Sequence, residues 1–335
     1  MILSYGFSII GSSHEKKGGI CQDANKIVPL LKGQMIIAAV ADGVGSCKYS
    51  DSASEIAVKV STNYCKEEIE KNPRILGNLE SILNTIEKAF VEAELAIEKK
   101  SLEDNQPLSE YDTTLDLVIF TGKKIFFGHC GDGGIIGLTV KGDYVKITSI
   151  QKKDGIYVVP LRDGSKNKNN TWEFDTVKEE FASVLLATDG VYDVFFPYLL
   201  KGQPVEIRVP LAQHFMDNHV LRATEKTIIK IEEDRKSLLC SSESESITDD
   251  KTVVVLINDK VMPKRKEASY YLEPDWDALQ LEWNKKAYPH LYSKDEDNTK
   301  NIVSETNENI DTKEKKFTIK EIVDVIKKNK NNNKV

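Results

Sequence analysis

The sequence predicts an α+β fold of stacked β-sheets covered by helices, and three observations carry that reading. Nine short runs rich in Val, Ile, Phe and Thr are bounded by Gly, Asp or Lys, as strands are. Two long helical stretches stand together between the third and fourth of these runs, so helices and strands do not alternate one by one as in a parallel-sheet protein. No internal repeat marks a solenoid or a propeller.

The strand-like runs are, in order, YGFSIIG, NKIVPLL, QMIIAAVA, TTLDLVIFTG, KKIFFGHCG, GLTVKGDYVKITSI, GIYVVPL, SVLLATD and KTVVVLIND. Between the third and fourth, SDSASEIAVKVSTNYCKEEIEKN opens with Ser52 and Glu55 at the spacing of a capping box. The next stretch, NLESILNTIEKAFVEAELAIEKK, places Leu79, Ile82, Leu83, Ile86, Phe90, Ala93 and Ile97 on one helical face, which suits packing on a sheet. A further helical region is expected within 197–240. After residue 259 the chain becomes aromatic and Pro-punctuated, with Tyr270, Tyr271, Trp276 and Trp283, and this stretch to 297 is expected to pack on the domain that precedes it. Residues 298–335 are Lys/Asn-rich and bury too little apolar surface to fold alone; Phe317, Ile319, Ile322, Val323 and Ile326 have the spacing of one short helix there.

Composition narrows the function. The 335 residues are 40% hydrophobic and 30% charged, an ordinary soluble composition with no apolar run long enough to span a bilayer and no basic leader, which points to the cytoplasm. Residues 260–335 hold 16 Lys and Arg against 14 Asp and Glu, leaving 30 against 39 and a net charge of −9 for residues 1–259. An acidic body argues against nucleic-acid binding, which needs cations to neutralise phosphates. Five cysteines, odd in number and without a C-x-x-C, read as reduced packing thiols. His129, His214, His219 and His290 lack ligand spacing and read as surface or packing residues.

One pattern does not read as packing. AAVADGVG ends an apolar run on Asp42-Gly43, FFGHCGDGG on Asp132-Gly133 and SVLLATDGVYD on Asp189-Gly190. Asp-Gly after one strand is ordinary turn chemistry. It does not explain why Asp23 stands before ANKIV, or why Asp249 and Asp250 stand before KTVVVL. In antiparallel pairs the end of one strand lies beside the start of its neighbour, so these acids are expected to meet at one sheet edge. Crowded carboxylates repel, and hard divalent cations such as Mg²⁺ or Mn²⁺ relieve that repulsion.

CQDA, VADGVG, DTTLDLVIF, CGDGG, LLATDGVYD and DDKTVVVL stand in the order and approximate spacing of the metal-dependent serine/threonine protein phosphatases, the protein phosphatase 2C family. The resemblance covers about residues 4–258 and is closest to the compact bacterial branch, whose opening SHEKKGGICQDA resembles. It implies two stacked antiparallel β-sheets flanked by helical pairs, and a catalytic domain over 1–259. It implies two Mg²⁺ or Mn²⁺ ions with a weaker third: Asp42 bridging two ions, the Gly43 carbonyl on one, Asp23 acting mainly through bound waters, Asp189 and Asp249 on the second, and Asp132 with Asp189 on the third. Such ions acidify water and neutralise phosphoryl charge, so no covalent intermediate is needed.

Three positions depart from the family pattern: Gln22 replaces Glu, Gly133 replaces Ser, and Gly18 stands where an arginine grips phosphate. His14 and Lys17 are the expected replacements for that arginine. The polar stretch RDGSKNKNN between Asp132 and Asp189 is expected to be an exposed loop that influences substrate choice. The resemblance implies a phosphorylated protein as substrate and a Ser/Thr kinase as counterpart. Two other readings use the same residues: a non-catalytic scaffold with this fold, and a metal-dependent phosphatase of a small metabolite.

Overall fold

Side-chain alternation along the strands builds the layers of the molecule. In Phe181–Ala187, Val184 and Leu186 point into one apolar cluster while Leu185 and Ala187 point into another, and both clusters are buried. A strand buried on both faces needs cover on both sides, and the chain supplies a second sheet on one and helices on the other. Each large side chain buried this way contributes about 1.5–3 kcal/mol.

The computed structural model describes residues 1–154, 157–165, 168–240 and 247–292. In chain order they form β1 (Ile2–Ile9), the short helix α1 (Ser12–Glu15), β2 (Ala24–Leu30), β3 (Met35–Ala41), α2 (Ser50–Lys71), α3 (Leu79–Glu103), β4 (Leu115–Phe120), β5 (Ile125–Cys130), β6 (Gly134–Thr139) and β7 (Tyr144–Lys146). They continue with β8 (Lys152–Lys153), β9 (Tyr157–Val158), β10 (Glu173–Thr176), β11 (Phe181–Ala187), α4 (Asp189–Phe195), α5 (Val209–Met216), α6 (Asn218–Leu221), α7 (Ile228–Cys240), β12 (Lys251–Asn258) and α8 (Trp276–Ala287). Two five-stranded antiparallel sheets run in the orders β1-β12-β11-β6-β7 and β10-β5-β4-β3-β2. Ile36, Val118, Phe120 and Phe127 of one sheet meet Ile135, Val184, Val254 and Leu256 of the other. On the outer faces, α2 and α3 cover the second sheet, and α5 and α7 cover the first. This is the predicted α+β sandwich.

Several local expectations are corrected. The run GLTVKGDYVKITSI is not one strand: Gly142, at φ +88°, turns the chain, and Thr139 and Asp143 close the hairpin between β6 and β7. In GIYVVPL only Tyr157–Val158 is strand, paired with Lys152–Lys153. Edge strand β10 was not anticipated, because WEFDT lacks clean alternation. The capping box at Ser52 does not form, since α2 begins two residues earlier and Tyr49 N–H is held by the Glu110 carbonyl instead. Leu79, placed on the buried face of α3 by periodicity, is exposed at the helix's first residue. The helical region within 197–240 breaks into three helices, with Asp217 capping α6 and Arg222 in a left-handed conformation ending it. The short helix expected at Phe317–Ile326 lies outside the described residues.

Residues 260–292 return to the first sheet. Tyr270 and Tyr271 pack against the cluster containing Leu3, Tyr144 and Phe215. Arg208, fully buried at the start of α5, forms a bidentate pair with Glu273 at 2.9–3.2 Å and lies beside the Trp276 ring.

Candidate metal centre at the strand ends

Strand register assembles the acids. Ala24 pairs with Ala41, so Asp23 at the start of β2 lies beside Asp42 at the end of β3. Ala187 pairs with both Gly134 and Val253, which brings Asp132, Asp189 and the Asp249-Asp250 pair to the same end of the first sheet. The two sheets are joined at this edge by the Thr188 hydroxyl, which donates to Asp23 Oδ2 at 2.7 Å. Thr114 holds Asp42 from both sides: its hydroxyl accepts from Asp42 N–H at 2.9 Å, and its N–H donates to the Asp42 carbonyl at 2.8 Å.

Asp42, Asp132 and Asp189 each present a carboxylate oxygen within 4.8 Å of the others. With Asp249, Ser13, His14 and Thr114 they line a cavity of about 210 Å³. Asp23 stands behind it, 7% exposed. Asp23 Oδ1 and Asp189 Oδ1 are buried and have no hydrogen-bond partner. Buried polar atoms are normally paired, so two orphaned carboxylate oxygens at one cavity fit an oxygen-seeking cation. Burial, followed by the neighbouring carboxylates, raises Asp42 well above the usual range. Burial also pushes Asp23 up to about 8 and Asp189 up to about 7, the latter with help from Asp132.

Glycine after the acid has a steric cause. A Cβ on Gly190 would stand 2.1 Å from the Asp250 carbonyl, so only glycine admits this approach of α4 to the start of β12. Gly43 donates its N–H to the Gln22 carbonyl at 3.1 Å, which ties the two loops together.

Among the expected phosphate contacts, His14 lines the cavity, with Nδ1 3.0 Å from Asp250 Oδ1. Lys17 is exposed and does not line it. The roles of three residues escaped sequence reasoning. Asp250 accepts from the N–H groups of Gly11 and Gln22, both at 2.6 Å, and so fixes the two loops that carry His14 and Asp23. His129 is buried, as a packing histidine is, with its ring held between Asp116 Oδ1 at 2.6 Å and the Ser149 carbonyl at 2.8 Å. Burial opposes its charge, but those two acceptors outweigh burial and raise its pKa. The third is Lys152, whose ammonium lies 3.2 Å from Asp132 Oδ2. The alternation of acids with strands marks Asp250 but not its role as an acceptor of loop N–H groups; nothing local could have suggested Lys152. All five cysteines are free, and burial drives the Cys130 thiol upward, which suits a packing role.

A bacterial serine phosphatase of solved structure superposes with a TM-score of 0.50 at 15% identity, over 79% of this chain and 100% of that one. The Mycobacterium tuberculosis serine/threonine phosphatase PstP/Ppp gives 0.50 at 15% identity, over 78% and 99%. At that identity the likeness is one of fold. No curated protein matches the sequence. The family model described as Protein phosphatase 2C matches residues 10–226, a span that carries Asp23, Asp42, Asp132 and Asp189, and the chain therefore belongs to the protein phosphatase 2C family.

Proposed function

We propose that this chain is a Mg²⁺- or Mn²⁺-dependent hydrolase of phosphoserine and phosphothreonine in proteins, working in the cytoplasm against a Ser/Thr kinase. The observation that carries the reading is the convergence of Asp42, Asp132 and Asp189 within 4.8 Å, with a buried, unpartnered oxygen on Asp189 and another on Asp23. Family membership supports phosphatase chemistry on proteins. Bound divalent ions supply Lewis acidity, making water nucleophilic near neutral pH and neutralising phosphoryl charge.

The residues divide the work. Asp42, the Gly43 carbonyl, Asp189 and Asp249 would hold the two ions, with Asp42 contributing to both. Asp23 orients water, its carboxylate already fixed by the Thr188 hydroxyl. The family resemblance implies a third, weaker ion at Asp132 with Asp189. His14, held against Asp250 at the cavity wall, replaces the missing arginine as the phosphate contact. An open edge between two sheets, rather than an enclosed pocket, suits a phosphorylated side chain presented on a protein surface.

Hydrolysis of p-nitrophenyl phosphate and of phosphoserine and phosphothreonine peptides, with Mn²⁺, Mg²⁺ or EDTA, tests this. Metal-dependent turnover abolished by EDTA is the expected result. Absence of turnover with any metal would favour the scaffold, and turnover confined to small phosphorylated metabolites would replace the protein substrate.

A further inference from the structure

Lys152 stands where the resemblance leaves room for a cation. Lys152 pairs with Asp132, one of the strand-end acids, at 3.2 Å, with 33% of the lysine side chain and 9% of the aspartate accessible. The Asp193 and Asp189 carboxylates act on the same ammonium.

The pair is built rather than incidental. Gln151, the residue before Lys152, is bound twice to Gly131, the residue before Asp132: its N–H donates to the Gly131 carbonyl at 2.8 Å, and its side-chain oxygen accepts from Gly131 N–H at 3.3 Å. These two hydrogen bonds between neighbouring residues set Lys152 opposite Asp132. Gly131 takes φ +130°, and a Cβ there would meet the Thr114 side chain at 2.6 Å, so the turn that presents Asp132 is fixed from beneath. From above, Lys152 pairs in register with Val158, which lines the same cavity. A long side chain held by its backbone loses less entropy on pairing than a free surface lysine, whose ion pairs are worth little.

Electrostatics points the same way: a third divalent ion would have to share Asp132 with the Lys152 ammonium a few ångströms away, a strong repulsion in a partly buried site.

We propose that the Lys152 ammonium takes the third cation's place at Asp132, so that the loaded protein holds two divalent ions and not three. This inference rests on the metal-centre reading above. The positive charge at Asp132 then comes from the chain itself, on β8, in place of an ion drawn from solution.

The test is a Mn²⁺ titration of the full chain with free Mn²⁺ counted by electron paramagnetic resonance, a readout independent of turnover. The wild type is expected to take up two ions. Lys152→Met, which removes the charge and offers no hard ligand, is expected to gain a third site at least about tenfold tighter than any third uptake by the wild type. Lys152→Arg, which keeps the charge, should stay at two, and Lys152→Met combined with Asp132→Asn should return to two. A wild type that takes up three ions as tightly as Lys152→Met, or a Lys152→Met protein that stays at two with unchanged circular dichroism, would overturn the inference and leave the two-ion centre standing. A wild type that binds no Mn²⁺ would overturn both.

Discussion

The strand-end cavity and the Arg208 clamp both take ionised groups out of water, and they settle the cost in opposite ways. Arg208 is fully buried yet meets Glu273 in a bidentate pair, so the protein supplies the counter-charge itself and binds residues 260–292 to the first sheet. At the cavity, Asp42, Asp132 and Asp189 face one another with one lysine among them, and burial raises the pKa values of Asp42, Asp189 and the adjacent Asp23. A buried charge that is paired fastens structure; a cluster of like charges left unpaired is a site awaiting a ligand.

The comparison breaks most visibly at Asp42. Asp42→Asn removes the shared carboxylate and is expected to lower metal-dependent turnover by about a thousandfold, while the metal-free protein stays folded with an equal or higher melting temperature because repulsion is relieved. Near wild-type turnover with full metal occupancy would remove Asp42 from the centre.

Next in size is the pH dependence of the metal-free protein. Asp23 and Asp189 are raised from 3.8 to about 8 and about 7, so between those values the folded state binds more protons than the unfolded chain. Stability from these groups is complete below pH 3.8 and is lost as pH rises through 7 to 8. Thermal melts in EDTA should therefore fall from pH 5 to pH 8, and added Mn²⁺ should restore stability most strongly at pH 8. A flat profile would mean that the acids are not held close and dry.

The clamp gives the converse result. Glu273→Ala strands the Arg208 charge and should cost about 2–3 kcal/mol of stability in denaturant melts, whereas Arg208→Met, which leaves a partly exposed carboxylate, should cost less. Turnover of either variant at 25 °C should match the wild type, since neither side chain lines the cavity. Equal losses from the two substitutions would contradict the account of the clamp. The smallest effect is expected from removing residues 298–335: turnover on a small substrate and melting temperature should both stay as in the full chain, because that composition contributes little apolar burial.

What was legible in the sequence was whatever repeats at short range. Strands alternate, α2 and α3 carry a helical period, and three acids end apolar runs, so layers and strand-end acids alike could be read from the residues. What was hidden depends on pairing between distant segments. Lys152 matters only because Gln151 is bound to Gly131, and Asp250 only because Gly11 and Gln22 fold back to it. His129 reads as an ordinary strand residue until β4 places Asp116 opposite it. The false capping box at Ser52 shows the reverse, a sound local pattern overruled when the Glu110 carbonyl fixed the helix start two residues earlier.

The central claim is that the strand-end acids form a divalent-metal centre, and anomalous diffraction at the manganese edge from a Mn²⁺-soaked crystal tests it most directly. Two strong peaks are predicted, both bordering Asp42, one shared with the Gly43 carbonyl and the other with Asp189 and Asp249. Manganese peaks only elsewhere on the molecule, at saturating Mn²⁺ and neutral pH, would contradict it.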